Sequence, residues 1–456
     1  MVVVTAALIA AVGCGSSAKP DSSSATVTPQ GLGQADAAKR HKSHKRPANW
    51  PTYHANLART GVDTTSPALG SFHRTWTKRF DGQVYAEPLA VGNRVYVATE
   101  NNTVYALNAA NGHIAWKRHL GTPVQGSTLP CGNIEPVTGI TGTPAISGDT
   151  IYAVAFLNGY RHVLFGLRLK SGKIRLKRSI DAPGSDPRVH QERSALSVSN
   201  GRVYVPFGGM SGDCGDYRGR VVSVKTKGKA KRLVFTAGVN REGGIWAPSG
   251  AAVDGAGNLF VVTGNGDATS GFDFGNSVIR LSPQLQQTDF YRAPNSAVLN
   301  QHDTDLGSVG PTLLGGDRMF VIGKEGLGLI LSTSHLGGTG GQLFAKAVCS
   351  SAFGGLAYRA PVVYVPCENG LYALPVAGNS FSVAWHTTSS AGPPIVAGGV
   401  VWSIDTGGVL HGYAPDSGAS LVSVGLGSVT HFPTPAAGGG RLFAPAGTQV
   451  VAFAGV

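Results

Sequence analysis

Eight short apolar runs punctuate this chain, each centred on an aromatic residue and usually placed just after a glycine turn. They are Val95-Tyr96-Val97, Ile151-Tyr152-Ala153, Val203-Tyr204-Val205, Leu259-Phe260-Val261, Met319-Phe320-Val321, Val363-Tyr364-Val365, Val401-Trp402-Ser403 and Leu442-Phe443-Ala444. Successive aromatics lie 56, 52, 56, 60, 44, 38 and 41 residues apart. A recurrence on that scale, made of short strands, is the signature of a β-propeller. The first repeat is the clearest. Ala86–Val91 reads as an inner strand, Arg94–Thr99 as the second, Val104–Leu107 as the third and Ile114–Trp116 as the outer one. Turns at Gly92-Asn93, Asn101-Asn102 and Asn111-Gly112 separate them.

The pattern predicts an all-β fold, an eight-bladed propeller of four-stranded antiparallel blades spanning residues 49–456. The later blades follow at about 139–180, 190–238, 243–292, 303–347, 349–387, 391–424 and 428–454. The last is short of an outer strand. Phe72–Phe80, with Trp76, has the look of one and is expected to join that blade and close the ring, hiding edges that an open fan would expose. Trp76, Trp116 and Trp385 are then packing residues between blades. A monomer is expected.

Composition adds an address. Met1–Gly13 is apolar and leads into Ala11-Val12-Gly13-Cys14, which resembles a bacterial lipoprotein processing site. Residues 1–14 are therefore expected to be a lipoprotein-type signal, with Cys14 lipidated. An ordinary cleaved signal is the alternative. Residues 15–48 read as a disordered tether carrying the basic cluster Lys39-Arg40-His41-Lys42-Ser43-His44-Lys45-Arg46. The expectation is an exported cell-membrane lipoprotein facing the periplasm or the cell exterior, touching the membrane through its anchor only. The formal net charge is +13, but an exported propeller without a basic recognition helix argues against nucleic acid as partner.

Apart from Cys14, four cysteines remain, an even number in an exported chain. In a four-stranded blade, the loop entering the inner strand and the loop between the second and third strands lie on one face. Cys131 and Cys349 fall in loops of the first kind. Cys214 and Cys367 fall in loops of the second. The placement predicts Cys131–Cys214 and Cys349–Cys367, with buried free thiols as the alternative.

The repeat Tyr105-Ala106-Leu107-Asn108-Ala109-Ala110-Asn111-Gly112-His113-Ile114-Ala115-Trp116 resembles that of the pyrroloquinoline quinone (PQQ) propeller family. That family includes quinoprotein alcohol dehydrogenases, polyvinyl alcohol dehydrogenase-like proteins and the outer-membrane assembly lipoprotein. The resemblance implies a quinone and calcium at the loop face. It places Glu87 where the enzymes carry an acidic residue beside the quinone. It also makes Trp246 the floor under the ring and Lys324 a basic contact to the quinone. Calcium ligands are implied at Asp213 or Asp216, Asn265 and Asp303, a hard oxygen set. The catalytic base is implied at Asp303 or Asp305. Two departures are visible: one cysteine stands where those enzymes have an adjacent pair, and no Cys-x-x-Cys-His haem motif is present. Three readings follow: a quinone-dependent oxidoreductase of small or polymeric alcohols, a non-catalytic propeller binding a small molecule or carbohydrate, or an envelope scaffold for protein partners.

Overall fold

The computed structural model describes residues 49–228 and 231–456. The expectations for the signal segment, for lipidation at Cys14 and for the tether fall outside those residues. Eight sheets of four principal antiparallel strands follow one another along the chain. Blade 1 comprises Leu89–Val91, Arg94–Thr99, Thr103–Asn108 and Ile114–His119. Blade 2 comprises Ala145–Ser147, Thr150–Leu157, Arg161–Arg168 and Ile174–Ser179. Blades 3 to 7 repeat this order and end on the outer strands Leu233–Thr236, Gln287–Arg292, Phe344–Ala347, Trp385–His386 and Ser420–Gly425. Blade 8 takes its first three strands from Ala436–Ala437, Arg441–Ala446 and Gln449–Ala454. Its outer strand is His73–Arg79, paired antiparallel with Gln449–Ala454. Among the described residues, the α-helix is the six-residue Ser296–Gln301.

The inner strand of blade 1 starts at Leu89 rather than Ala86. Pro88 has no N–H to give a ladder. The Glu87 N–H is drawn instead to Thr143 Oγ1, in the loop entering blade 2. The eight repeating aromatics sit on the second strands, all at most 6% exposed. Several reach across to the next blade: Tyr204 donates its hydroxyl hydrogen to the Pro283 carbonyl at 2.9 Å. The outer-strand tryptophans make a second inter-blade contact. Trp76, Trp116 and Trp385 donate Nε1–H to the carbonyls of Ala109, Leu169 and Pro415 at 3.0, 2.8 and 2.9 Å. Each indole lies on the glycine of that same turn: Gly112, Gly172 or Gly418. A Cβ there would come within 2.8, 2.6 and 2.5 Å of the ring. All three glycines also have φ near +65 to +70°, so both the turn and the stacking require glycine.

Residues 50–70 carry no repeat, yet they bond to every blade. Trp50 exchanges two backbone hydrogen bonds with Ala90 of blade 1, and Ile146 of blade 2 donates to the Pro51 carbonyl. Thr52 Oγ1 donates to Leu196 O beside blade 3. Val253, Leu313, Tyr358 and Val396, on blades 4 to 7, donate to the carbonyls of Leu57, Ala58, Thr60 and Gly61. Gly70 donates to Gly455 O at the end of blade 8. The segment thus satisfies inner-strand groups that would otherwise face the channel unpaired. At its centre is Arg59, fully buried. Its guanidinium donates to the carbonyls of Ala251, Tyr53 and Leu196, and to the hydroxyls of Thr52 and Ser197. Leu196 and Ala251 immediately precede inner strands and Ser197 begins one, so the strap runs inside the ring along the strands that line the channel.

Candidate functional site at the open end of the channel

The loop face of the ring holds a cavity of about 240 Å³. Its walls come from the two loop classes that share a face. Loops entering inner strands supply Asn133, Gln191, Arg193, Trp246, Asp303 and Phe432, among others. Loops between second and third strands supply Asp213, Asn265 and Lys324. Six residues singled out from the sequence, Asp213, Trp246, Asn265, Asp303, Asp305 and Lys324, therefore line one cavity.

Local sequence explains how they are held. Gly208 passes so close to Trp246 that a Cβ there would lie 2.7 Å from the tryptophan Cβ. Gly264 leaves room for the Asp305 carboxylate, whose Oδ1 would lie 2.2 Å from a Cβ at that position. The side chains then form one network. Lys324 Nζ lies 2.5 Å from Asp305 Oδ2 and 3.0 Å from Asp303 Oδ1. It also donates to the Asp303 carbonyl and sits 5.9 Å from the Trp246 ring centre. Asn265 donates its backbone N–H to Asp305 Oδ1 at 2.8 Å and its Nδ2–H to Asp303 Oδ1 at 3.0 Å. Asn276 fixes that amide by donating to Asn265 Oδ1 at 3.0 Å.

The two aspartates differ in setting. The Asp303 side chain is 75% exposed and that of Asp305 is 10% exposed. Burial pushes the Asp305 carboxyl above its ordinary value, against the pull of the Lys324 ammonium. Burial works to lower Lys324, but the two carboxylates outweigh it and its pKa is raised, so the cation is secure.

Sequence reasoning missed the cavity's second aromatic group and second cation. Phe432 lies between Trp246, at 6.5 Å, and Phe353, stacked at 5.7 Å. The Arg193 guanidinium sits 4.8 Å from the Phe432 ring centre. Its Nη2 is buried without a hydrogen-bond partner. Both residues occur in loops entering inner strands, so the rule that placed the cysteines also applied to them.

Both disulfides form as the loop argument required, Cys131–Cys214 and Cys349–Cys367. The first ties together two rim loops, because Asn133 and Gly212-Asp213, next to its two halves, line the cavity.

Residues 73–253 match the family model described as outer membrane protein assembly factor BamB. A polyvinylalcohol dehydrogenase of Pseudomonas sp is 24% identical over 287 residues, which are 55% of this chain and 43% of that protein. The chain carries repeats of the PQQ type on a propeller fold. It spans less than half the length of the curated relatives it matches. Among solved structures, the fold of this PQQ-repeat propeller is similar to a quinohemoprotein alcohol dehydrogenase from Pseudomonas putida HK5. The TM-score is 0.72 at 14% identity, covering 89% of this chain and 80% of that one. It is also similar to BamB from Moraxella catarrhalis, with TM-score 0.60 and 15% identity over 84% of this chain and 99% of that one.

The residues of this PQQ-repeat propeller suit a flat, anionic ring system. Trp246 and Phe432 offer apolar faces, and the orphaned Arg193 Nη2 and the Lys324 ammonium offer positive charge. They suit calcium less well. Asp213 accepts a 2.5 Å hydrogen bond from the Tyr217 hydroxyl, and Asn265 has its oxygen turned to Asn276. Asp303 is already bound to Lys324. Asp216 is exposed and does not line the cavity, which corrects its place among the ligands. Among the described residues, no cluster of three His, Cys, Asp or Glu side chains is arranged to hold a metal ion. Glu87 is a second correction. It is 2% exposed and accepts from Trp50 Nε1 and from the His54 N–H, so it anchors the strap and does not border the cavity.

Proposed function

We propose that this chain is an exported, lipid-anchored, quinone-dependent oxidoreductase that oxidises alcohols or polyols at the open end of its channel. The observation that carries the reading is the convergence of Trp246, Asn265, Asp303, Asp305 and Lys324 on one cavity with an aromatic floor. The relatives named dehydrogenases support it. A bound quinone would supply the acceptor for the hydride removed from the alcohol carbon.

The chain's own groups supply the rest. Trp246 and Phe432 support the ring face, while Arg193 pairs with an anionic substituent. Asp303 stands nearest to solvent and takes the hydroxyl proton of an arriving alcohol. Asp305 and Asn265 hold Lys324 and Asp303 in register, so the base need not reorganise during the reaction.

A scaffold role in the envelope is the second reading, favoured by the match of residues 73–253 to an assembly-factor family. Reconstitution separates the two. Purified protein is incubated with PQQ, with and without added calcium, and then desalted. Dye reduction is assayed with short alcohols, diols and polyvinyl alcohol. Quinone absorbance should remain with the protein and fall about tenfold or more in Trp246→Ala, in line with the loss of an aromatic support. No retention at micromolar quinone, with or without calcium, would overturn the enzymatic reading in favour of the scaffold.

A further inference from the structure

The outer strands of the ring divide into two unlike arcs. On blades 8, 1 and 2 they read His-Arg-Thr-Trp-Thr-Lys-Arg, Ile-Ala-Trp-Lys-Arg-His and Ile-Arg-Leu-Lys-Arg-Ser, without an Asp or Glu. On blades 4 to 7 the exposed cation of the outer strands is Lys346. Arg74 and Arg79 of blade 8, Lys117 and Arg118 of blade 1, and Lys177 and Arg178 of blade 2 are all exposed. Several of these arginines are anchored on backbone carbonyls rather than on carboxylates. Arg118 donates to Gly172 O at 3.0 Å and Arg74 to Gly425 O at 3.3 Å. Their charge is fixed in place and left uncompensated.

The same arc exposes aliphatic side chains. Ile114 and Ile174 open the outer strands of blades 1 and 2, each 41% exposed. Cations interleaved with exposed aliphatics fit the boundary between lipid headgroups and acyl chains. A soluble polyanion would use the charge and gain nothing from the isoleucines.

We propose that the edge of the ring at blades 8, 1 and 2 rests on an anionic phospholipid surface. The cavity mouth, on a loop face of the ring, then opens sideways along the membrane rather than straight away from it.

Flotation of the full-length protein carrying Cys14→Ser, so that no acyl chain contributes, tests this. Vesicles are phosphatidylcholine alone or phosphatidylcholine mixed with phosphatidylglycerol. Binding should favour the anionic vesicles and weaken with salt. The charge-reversed Lys117→Glu/Arg118→Glu/Lys177→Glu/Arg178→Glu variant should lose about tenfold or more of the partitioning, since four cations facing the anionic surface become anions. Ile114→Ser/Ile174→Ser should lose a smaller but measurable part while keeping its salt dependence. Unchanged melting temperatures show that these variants fold. Equal binding by the charge-reversed variant would overturn the proposal, because the tether's basic cluster would then account for the attraction. An unchanged isoleucine variant that binds soluble polyphosphate as tightly as vesicles would overturn it in favour of an anionic polymer.

Discussion

The cavity and the strap are built on opposite principles. At the open end, charges stand in a cavity with neighbours that leave them available: Asp303 is exposed, and Arg193 keeps a guanidinium nitrogen without a partner. In the strap, Arg59 is fully buried and its donors are taken by three carbonyls and two hydroxyls. A saturated arginine is a structural part, whereas an unsaturated one beside a cavity is a binding group. The same residue type therefore carries different meanings, read from how many of its hydrogen bonds are already made.

Three substitutions press on that contrast. Asp303→Asn should cost the most, lowering kcat by about 10²- to 10⁴-fold as a general base is lost. Its denaturation midpoint should stay near wild type, because the side chain is exposed. If activity survives, the base is elsewhere.

Arg59→Leu should do the reverse. Stranding buried carbonyls and hydroxyls costs about 3 kcal/mol or more, read as a lower denaturant midpoint. The folded fraction should still bind quinone with unchanged affinity. A stable variant with weakened quinone binding would mean that strap and cavity are coupled.

The smallest effect belongs to Glu100, buried between the loops of blades 1 and 2. It accepts from the Gly139 N–H and Thr141 Oγ1, while its Oε1 has no partner. Burial raises its pKa to about 7. A carboxyl raised in the folded state favours folding when protonated. That contribution is complete below the ordinary carboxyl range and is lost as pH rises through about 7. The melting temperature should therefore fall by a few degrees across that interval, and Glu100→Gln should flatten the dependence. Glu192, also buried and raised, would leave a residual slope. An identical slope in Glu100→Gln would assign the titration to other groups.

The blades and both disulfides were legible because they repeat. An aromatic within an apolar run, usually preceded by a glycine turn, reports its own strand and the face of each adjoining loop. The cluster from Trp246 to Lys324 was legible for the same reason, once loops had faces. Glu87 misled because its sequence context describes only its blade. The groups that capture its carboxylate, Trp50 and His54, lie on the strap, which has no period and meets each blade at a different residue. Asp216 misled differently. It sits two residues beyond a cysteine whose loop does reach the cavity, but Asp213 is the acidic residue that turns inward. Arg193 and Phe432 went unread because a charged residue and an aromatic in a loop each have many ordinary explanations. Only their stacking gives them one role.

The strap also bears on the order of events during synthesis. Residues 50–70 leave the ribosome before any blade does, yet their partners are spread from Ala90 to Gly455. They can be fully bonded only when the whole ring exists. His73–Arg79 likewise waits for Gln449–Ala454. Every intermediate short of the full chain thus keeps an unfinished seam, and a truncation that removes blade 8 should unsettle residues made almost four hundred positions earlier.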